Sequence, residues 1–277
     1  MATDMDNLKV FRGNPFLKWP GGKRWLASHL IPLISKNLSG RYFEPFLGGG
    51  AIFFRLFPKK AILSDINTDL INTYIQVRDN PDLLIEKLKR KRITENNYYR
   101  IRSQELVCPI EKAIRLLFFN RTAFGGIYRE NREGRVNVPY GGGRRTPNIL
   151  WEQGLIKEAS RVLQKKKLLV SDFEGIIEKA KKGDVVYCDP TYTVTHNNNG
   201  FVRYNERNFS WKDQERLAFA SERAWKRGAV VIVSNAHHDS VRKLYPNAKK
   251  KKVERASCVS RKVEARKMIF EDLFLFF

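Results

Sequence analysis

The stretch Tyr42-Phe43-Glu44-Pro45-Phe46-Leu47-Gly48-Gly49-Gly50-Ala51 runs from an apolar, aromatic segment through three glycines into Ala51–Leu56. It reads as a strand, a tight turn and a helix. Glycine has no Cβ, so backbone here can approach a ligand closely. In a parallel α/β sheet, ligands bind where the strands end. The same turn also serves as a plain loop, and it is not the Gly-x-Gly-x-x-Gly dinucleotide fingerprint. Outward from it, short apolar runs recur at 41–45, 60–64, 167–171, 184–188 and 229–234, alternating with helix-like segments. That alternation predicts an α/β sheet domain. The near-continuous hydrophobicity of these five runs predicts strands buried on both faces, as in a parallel sheet. Two more runs, 252–258 and 267–276, follow each other closely and predict an antiparallel pair at the end of the sheet.

Between 81 and 148 the pattern changes. Helical, basic segments at 83–92, 96–105 and 110–119 lead into a stretch rich in Gly, Arg and Asn. This predicts an insertion, 81–148, within a domain made of 1–80 and 149–277. A hairpin or long loop is expected at 125–139, where turn-forming residues cluster.

The chain has 277 residues, 52 Lys and Arg, and 29 Asp and Glu, a formal net charge of +23. Residues 85–145 hold 15 basic against 6 acidic side chains, and 242–267 hold 11 against 2. So concentrated an excess points to a polyanionic partner. No apolar run is long enough for a transmembrane helix, and 1–14 lacks the apolar core of a secretory signal. Cys108, Cys188 and Cys258 are odd in number and widely spaced, which fits neither a disulfide framework nor a Cys-pair metal site. His237 and His238 read as loop or helix-start residues.

Three further motifs bear on chemistry. Asp65, in Leu63-Ser64-Asp65-Ile66-Asn67, ends the second apolar run. There it suits hydrogen bonding to ribose hydroxyls, or it caps a helix over 66–77. Val185-Val186-Tyr187-Cys188-Asp189-Pro190-Thr191-Tyr192 delivers Asp-Pro-x-aromatic at a strand end. A carboxylate and a neighbouring carbonyl can accept two hydrogen bonds from a planar amine while the ring stacks on its base. Phe16-Leu17-Lys18-Trp19-Pro20-Gly21-Gly22-Lys23 sets an aromatic and a cation around a tight turn before a helix.

These motifs, in this order, resemble the Dam-type DNA adenine-N6 methyltransferases over most of the chain. Leu17–Lys23 is similar to that family's first cofactor motif, and Phe43–Gly50 to its Gly-rich loop. Asp65 is similar to its ribose acid, and Ser171-Asp172-Phe173 to its adenine-binding segment. Asp189–Tyr192 is similar to its catalytic Asp-Pro-Pro-Tyr, with Thr191 where the second proline usually stands. The resemblance implies a Rossmann-like S-adenosylmethionine-dependent methyltransferase sheet with an inserted, mainly helical target-recognition domain. It implies catalytic Asp189, Pro190 and Tyr192. It implies that S-adenosylmethionine is bound by Trp19, Lys23, Glu44, Pro45, Phe46, Gly48, Asp65, Asp172, Phe173 and Asp189.

Residues 120–141 resemble the family's DNA-reading hairpin. This implies DNA contacts by Arg121, Phe124, Ile127, Arg129, Asn137 and Pro139, with Arg129 on a guanine and Phe124 and Ile127 near a flipped base. Arg132, Arg135, Arg144 and Arg145 are read as phosphate contacts. The implied protein is a monomer that methylates double-stranded DNA, with GATC as the site to expect, in the cytoplasm of a bacterial or phage-infected cell. No metal and no covalent enzyme intermediate are implied. Methylation of RNA or of a protein amide, and a DNA-binding protein without catalysis, stay open as other readings.

Overall fold

A computed structural model describes residues 13–126, 128–129, 131, 136–143, 147–152, 154–193, 209–256 and 268–277. The chain divides into two compact units: 1–27, 48–57 and 67–170 form one, and 28–47, 58–66 and 171–277 the other.

The second unit holds most of the sheet. Its strands are β1 (Tyr42–Glu44), β2 (Ala61–Asp65), β4 (Val185–Cys188), β5 (Val230–Ala236), β6 (Lys249–Ala256) and β7 (Met268–Phe276), in the order β2-β1-β4-β5-β7-β6. β1, β2, β4 and β5 run parallel, and β7 lies antiparallel between β5 and β6. Both expectations for these strands hold. β4 is buried throughout, as is nearly all of β5, whose Val-Val-Ile-Val run suits a pleated surface covered on both sides. β5 continues two residues beyond the expected end at Ser234, because Asn235 and Ala236 pair with Asp272 and Glu271 of β7.

Helices of this unit are capped by sequence. α8 (Phe173–Ile177) starts at Asp172. α9 (Trp211–Lys226) starts at Ser210, whose hydroxyl and Asp213 form a reciprocal capping box. Its buried residues Gln214, Leu217, Ser221 and Ala224 recur at three- and four-residue spacing, so one face meets the core. His238 caps α10 (Asp239–Leu244) by accepting from the Ser240 N–H, as a helix-start residue should.

The first unit is mainly helical: α2 (Ala51–Leu56), α3 (Thr68–Asp79), α4 (Pro81–Lys89), α5 (Glu95–Arg102), α6 (Pro109–Thr122) and α7 (Leu155–Leu163). Pro81 and Pro109 occupy the first helical positions, where a missing N–H costs nothing. α3 begins at Thr68 with Asn67 as its cap, so Asp65 is not a helix cap. β3 (Lys167–Val170) also belongs to this unit. It departs from the expectation of burial on both faces: Lys167 and Val170 are exposed, and Leu168 alone is fully buried. Among the described residues, no helix is long and apolar enough to cross a membrane.

Candidate active site

In the sheet unit, β1, β2, β4 and β5 end on one edge, and β7 begins there because it runs the other way. That edge gathers polar side chains that the apolar strands carry to it. β4 delivers Asp189, whose Oδ1 accepts from Ser234 Oγ at 2.9 Å. The Ser234 hydroxyl lies 3.0 Å from Tyr187 Oη. Ser234 has one proton and gives it to Asp189, so the buried Tyr187 phenol donates to Ser234. Burial first, then the charge of Asp189, pushes the Tyr187 phenol well up, which keeps it a donor. Cys188 is buried, and the same causes in the same order raise its thiol far above reactivity.

Pro190 is buried and Thr191 exposed. Tyr192 is half-buried, and its Oη donates to Glu271 Oε2 at 2.8 Å. Thr193 Oγ1 accepts from Gln214 Nε2 at 3.3 Å, and Gln214 Oε1 accepts from Asn235 Nδ2 at 2.9 Å. The residues after Cys188 are thereby tied by side chains to β5, β7 and α9.

Beside them, Glu44 ends β1. It is buried and accepts from Tyr42 Oη at 2.9 Å. Burial, then the Glu44 charge, raises the Tyr42 phenol. Phe46 stacks on Phe173 with centroids 5.2 Å apart, and Phe209 meets Phe46 edge-on at 5.5 Å. Asp172 caps α8 and pairs with Arg216 at 2.8 Å, and the Arg216 guanidinium lies 4.8 Å from the Phe173 ring centre. Asp65 ends β2, and its carbonyl accepts from the Ser171 N–H at 3.2 Å. Thus Glu44, Pro45, Phe46, Asp65, Asp172, Phe173, Asp189, Pro190 and Tyr192 all belong to this unit.

Trp19, Lys23 and Gly48 belong to the other unit. There the Trp19 ring covers the glycine turn so closely that a Cβ on Gly48 would fall 2.9 Å from its Cδ1. Gly48 and Gly50 have φ of +47° and +66°, which side chains with a Cβ rarely adopt. Tyr74 Oη donates to the Gly48 carbonyl at 3.0 Å, which fixes the turn. Lys23 is buried. Asn120 holds Lys18 from both sides: its Oδ1 accepts from the Lys18 N–H at 2.9 Å, and its Nδ2 donates to the Lys18 carbonyl at 2.6 Å. The first cofactor-like motif and the end of α6 are therefore locked together.

The expected hairpin region starts as an antiparallel return. Ala123 bridges Tyr140, the Phe124 N–H donates to the Pro139 carbonyl at 2.9 Å, and the Asn137 N–H donates to the Arg129 carbonyl at 3.2 Å. Arg129 Nε donates to Asn137 Oδ1 at 3.0 Å. Tyr98 Oη supports the returning strand through the Val138 carbonyl at 2.7 Å. Phe124 is 64% exposed. Arg121 instead turns inward, donating to the Phe16 carbonyl at 2.8 Å and pairing with Glu152 at 2.8 Å. Burial lowers its pKa, and Glu152 opposes that shift. Ile127, Arg132, Arg135, Arg144, Arg145 and Cys258 lie outside the described residues.

Residues 19–258 match the family model of the D12 class of N6 adenine-specific DNA methyltransferases. The chain belongs to this family. It is 36% identical over 267 residues to the type II methyltransferase M1.LlaDCHI of Lactococcus lactis subsp. cremoris, covering 93% of each chain. It is 36% identical to the type II methyltransferase M.MjaIII of Methanocaldococcus jannaschii, covering 91% of this chain and 95% of the relative. It is 32% identical to a DNA adenine methylase of Vibrio cholerae serotype O1, covering 94% and 95%. A putative RNA methyltransferase from Pyrococcus horikoshii aligns over 98% of this chain and 94% of its own at 11% identity, with a TM-score of 0.41.

As a D12-class adenine methyltransferase, the chain takes DNA as its substrate. No group of three or more metal-ligating side chains occurs among the described residues. Sequence reasoning missed Ser234, Glu271, Phe209 and Arg216 at this edge. Two of them left a trace. Glu271-Asp272 interrupts an otherwise apolar run, and Ser234-Asn235 breaks the Val-rich run of β5. Phe209 and Arg216 left none.

Proposed function

We propose that this chain transfers a methyl group from S-adenosylmethionine to N6 of an adenine flipped out of duplex DNA, with GATC as the first site to test. The observation that carries the reading is the half-buried Asp189 carboxylate at the end of β4, oriented by Ser234 and followed within three residues by an aromatic ring tied to β7. A target amine inside a base stack is out of reach of such a carboxylate, so the base must leave the stack. Asp189 and the Pro190 carbonyl accept two hydrogen bonds from N6, and Tyr192 stacks on the base. This is catalysis by positioning and electrostatics.

Bound S-adenosylmethionine would supply an electrophilic methyl group and leave as S-adenosylhomocysteine, with one N6 proton released. The residues suit it. The Phe46–Phe173–Phe209 cluster offers aromatic faces to an adenine ring, and Asp65 offers a carboxylate to ribose. Glu44, Pro45 and Asp172 line the same strand ends. In the other unit, the Gly48–Gly50 turn has backbone where no Cβ fits, and Trp19 and Lys23 serve the methionine end. Phe124, Ile127, Arg129, Asn137 and Pro139 read DNA, and the Arg121 guanidinium is held by the Phe16 carbonyl and Glu152. The protein acts as a monomer in the cytoplasm.

The test is expression in a methylation-deficient bacterial host, digestion of its DNA to nucleosides, and mass spectrometry for N6-methyladenine. A signal in the wild type, lost in Asp189→Ala with DNA binding retained, is expected. The loss should reach about a thousandfold, since the charge at the amine and one of its two hydrogen bonds depend on that carboxylate. Residual activity near wild type would sink the assignment. Folded protein that binds S-adenosylmethionine but leaves DNA unmethylated would point to RNA.

A further inference from the structure

A buried carboxylate in a sheet strand is costly unless it is paired. Glu271 is such a group: it is 3% exposed, and its neighbours across the sheet are Ala236 of β5 and Val253 of β6. Its run, Met268–Phe276, is otherwise apolar except for Asp272. Asp272 answers to other partners, accepting from His237 Nδ1 at 3.0 Å and pairing with Arg242 at 3.7 Å. Glu271 receives the phenol of Tyr192 at 2.8 Å. Burial, then the charges of Glu271 and Asp189, holds that phenol protonated, so Tyr192 donates and the carboxylate accepts.

The bond matters because of the residue before Tyr192. Proline locks φ near −65° and stiffens the turn that carries the ring. Thr191 stands where the resembling tetrapeptides have a second proline, and it is exposed. The backbone ahead of the ring therefore lacks that restraint. A ring fixed at Cβ by the chain and at Oη by a buried acceptor keeps little freedom to swing. Pro190 is buried and Asp189 is fixed by Ser234, so Glu271 restrains the far end of the tetrapeptide as Ser234 restrains the near end.

We propose that Glu271 is a positioning residue for methyl transfer. It holds the Tyr192 ring in the plane on which the target adenine stacks, and it supplies through a side chain the rigidity that Thr191 does not give the turn. This rests on the function proposed above.

The test is a double-mutant cycle of Glu271→Ala and Tyr192→Phe on the full chain, read by single-turnover methylation. A second readout is the fluorescence of 2-aminopurine at the target position in bound DNA. Small displacements of a positioned group can cost up to about a hundredfold. We expect Glu271→Ala to lower the rate about tenfold with little change in KM for DNA, and to leave 2-aminopurine brighter because its stacking on the ring is looser. In a Tyr192→Phe background the same substitution should add almost nothing, since the bond is already gone. Glu271→Gln, which keeps an acceptor oxygen, should recover most of the loss, and Thr191→Pro should recover part of it in Glu271→Ala.

Additive losses in the cycle, or unchanged rate and fluorescence in Glu271→Ala, overturn the proposal. If Glu271→Ala does not fold, Tyr192→Phe breaks the same bond from the other side and must give the tenfold loss and the brighter probe alone. Absence of N6-methyladenine from the wild type would instead defeat the function, so the two failures are distinct.

Discussion

The strand ends of the sheet unit and the basic segment after Pro81 use charge in opposite ways. At the strand ends three carboxylates are wholly or half buried and answered: Glu44 by Tyr42, Asp189 by Ser234, Glu271 by Tyr192. In the basic segment they crowd a cleft of about 440 Å3 bordered by Lys87, Arg90, Lys91, Arg92, Arg100 and Glu111. Lys87 pairs with Glu111 at 2.6 Å, and Arg90 pairs with Glu86 one turn away. Among the described residues, Lys91 and Arg92 have no ion pair, and Arg100 donates to the neutral Asn97. Buried charges act through geometry and fail abruptly when one partner goes. Exposed ones act through their sum and fail by degrees. Chemistry on a single amine suits the first arrangement, and a grip on a repeating polyanion suits the second.

The largest effect expected from this contrast is on stability, at the opposite ends of the same strands. Asp184, just before β4, is buried and accepts from the Arg41 N–H at 2.7 Å and from Arg41 Nη2 at 2.6 Å. Burial raises its pKa, but the Arg41 and Lys181 hydrogen bonds outweigh that, and the net shift is downward. Arg41→Ala should cost about 3 kcal/mol, because it leaves a buried carboxylate without its cation, held by backbone N–H groups alone. Arg90→Ala, which breaks an exposed pair, should cost under about 0.5 kcal/mol. The folded pKa of Asp184 lies below the unfolded value of about 3.9. Its contribution is therefore complete above that pH and disappears as pH falls through the folded pKa. Urea unfolding at pH 7 and in acid would read this directly. Equal costs for the two substitutions would break the comparison.

A smaller effect, on activity, is expected at the strand ends themselves. Ser234→Ala removes the hydrogen bond that aims Asp189 and leaves Tyr187 without its partner. A net bond of this kind is worth about 1–1.5 kcal/mol, so kcat should fall about tenfold. Calorimetry should find S-adenosylmethionine binding close to wild type. A drop in cofactor affinity matching the drop in kcat would show that Ser234 supports the fold of the edge more than the aim of one carboxylate.

What could be read from the sequence follows the same division. β4 and β5 were legible because burial on both faces demands an unbroken apolar run, and a run of Val and Ile has little else to become. Asp189 and Glu44 were legible because they end such runs. β3 misled: Lys167-Leu168-Leu169-Val170 looks like a central strand, yet both of its ends are exposed. Asp65 looked equally able to cap a helix, and only the structure shows Asn67 taking that place. Ser234, Glu271, Phe209 and Arg216 meet Asp189, Tyr192, Phe46 and Asp172, each more than 40 residues away. Local spacing has no information about such pairs. The antiparallel return of β7 is what sets Glu271 beside Tyr192, and its register is a property of the folded sheet. In the basic segment, composition announced the charge but could not say that Arg121 turns inward while Lys91 and Arg92 face the cleft.

The smallest expected effect belongs to that cleft. If its unpaired cations hold backbone phosphates of the bound duplex, each should appear as a counterion term and carry no sequence information. Lys91→Ala and Arg92→Ala together should flatten the slope of log K against log salt by about 1.8, roughly 0.9 for each phosphate no longer neutralised. Preference among DNA sites should not move, because contacts to backbone phosphates carry no sequence information. Titration of a labelled duplex at several salt concentrations, with a matched and a mismatched site, gives both numbers. A change in site preference with the slope intact would mean that the basic segment works by defined geometry, as the strand ends do. An unchanged slope would place the duplex elsewhere and leave the cleft's charges as a solvated surface.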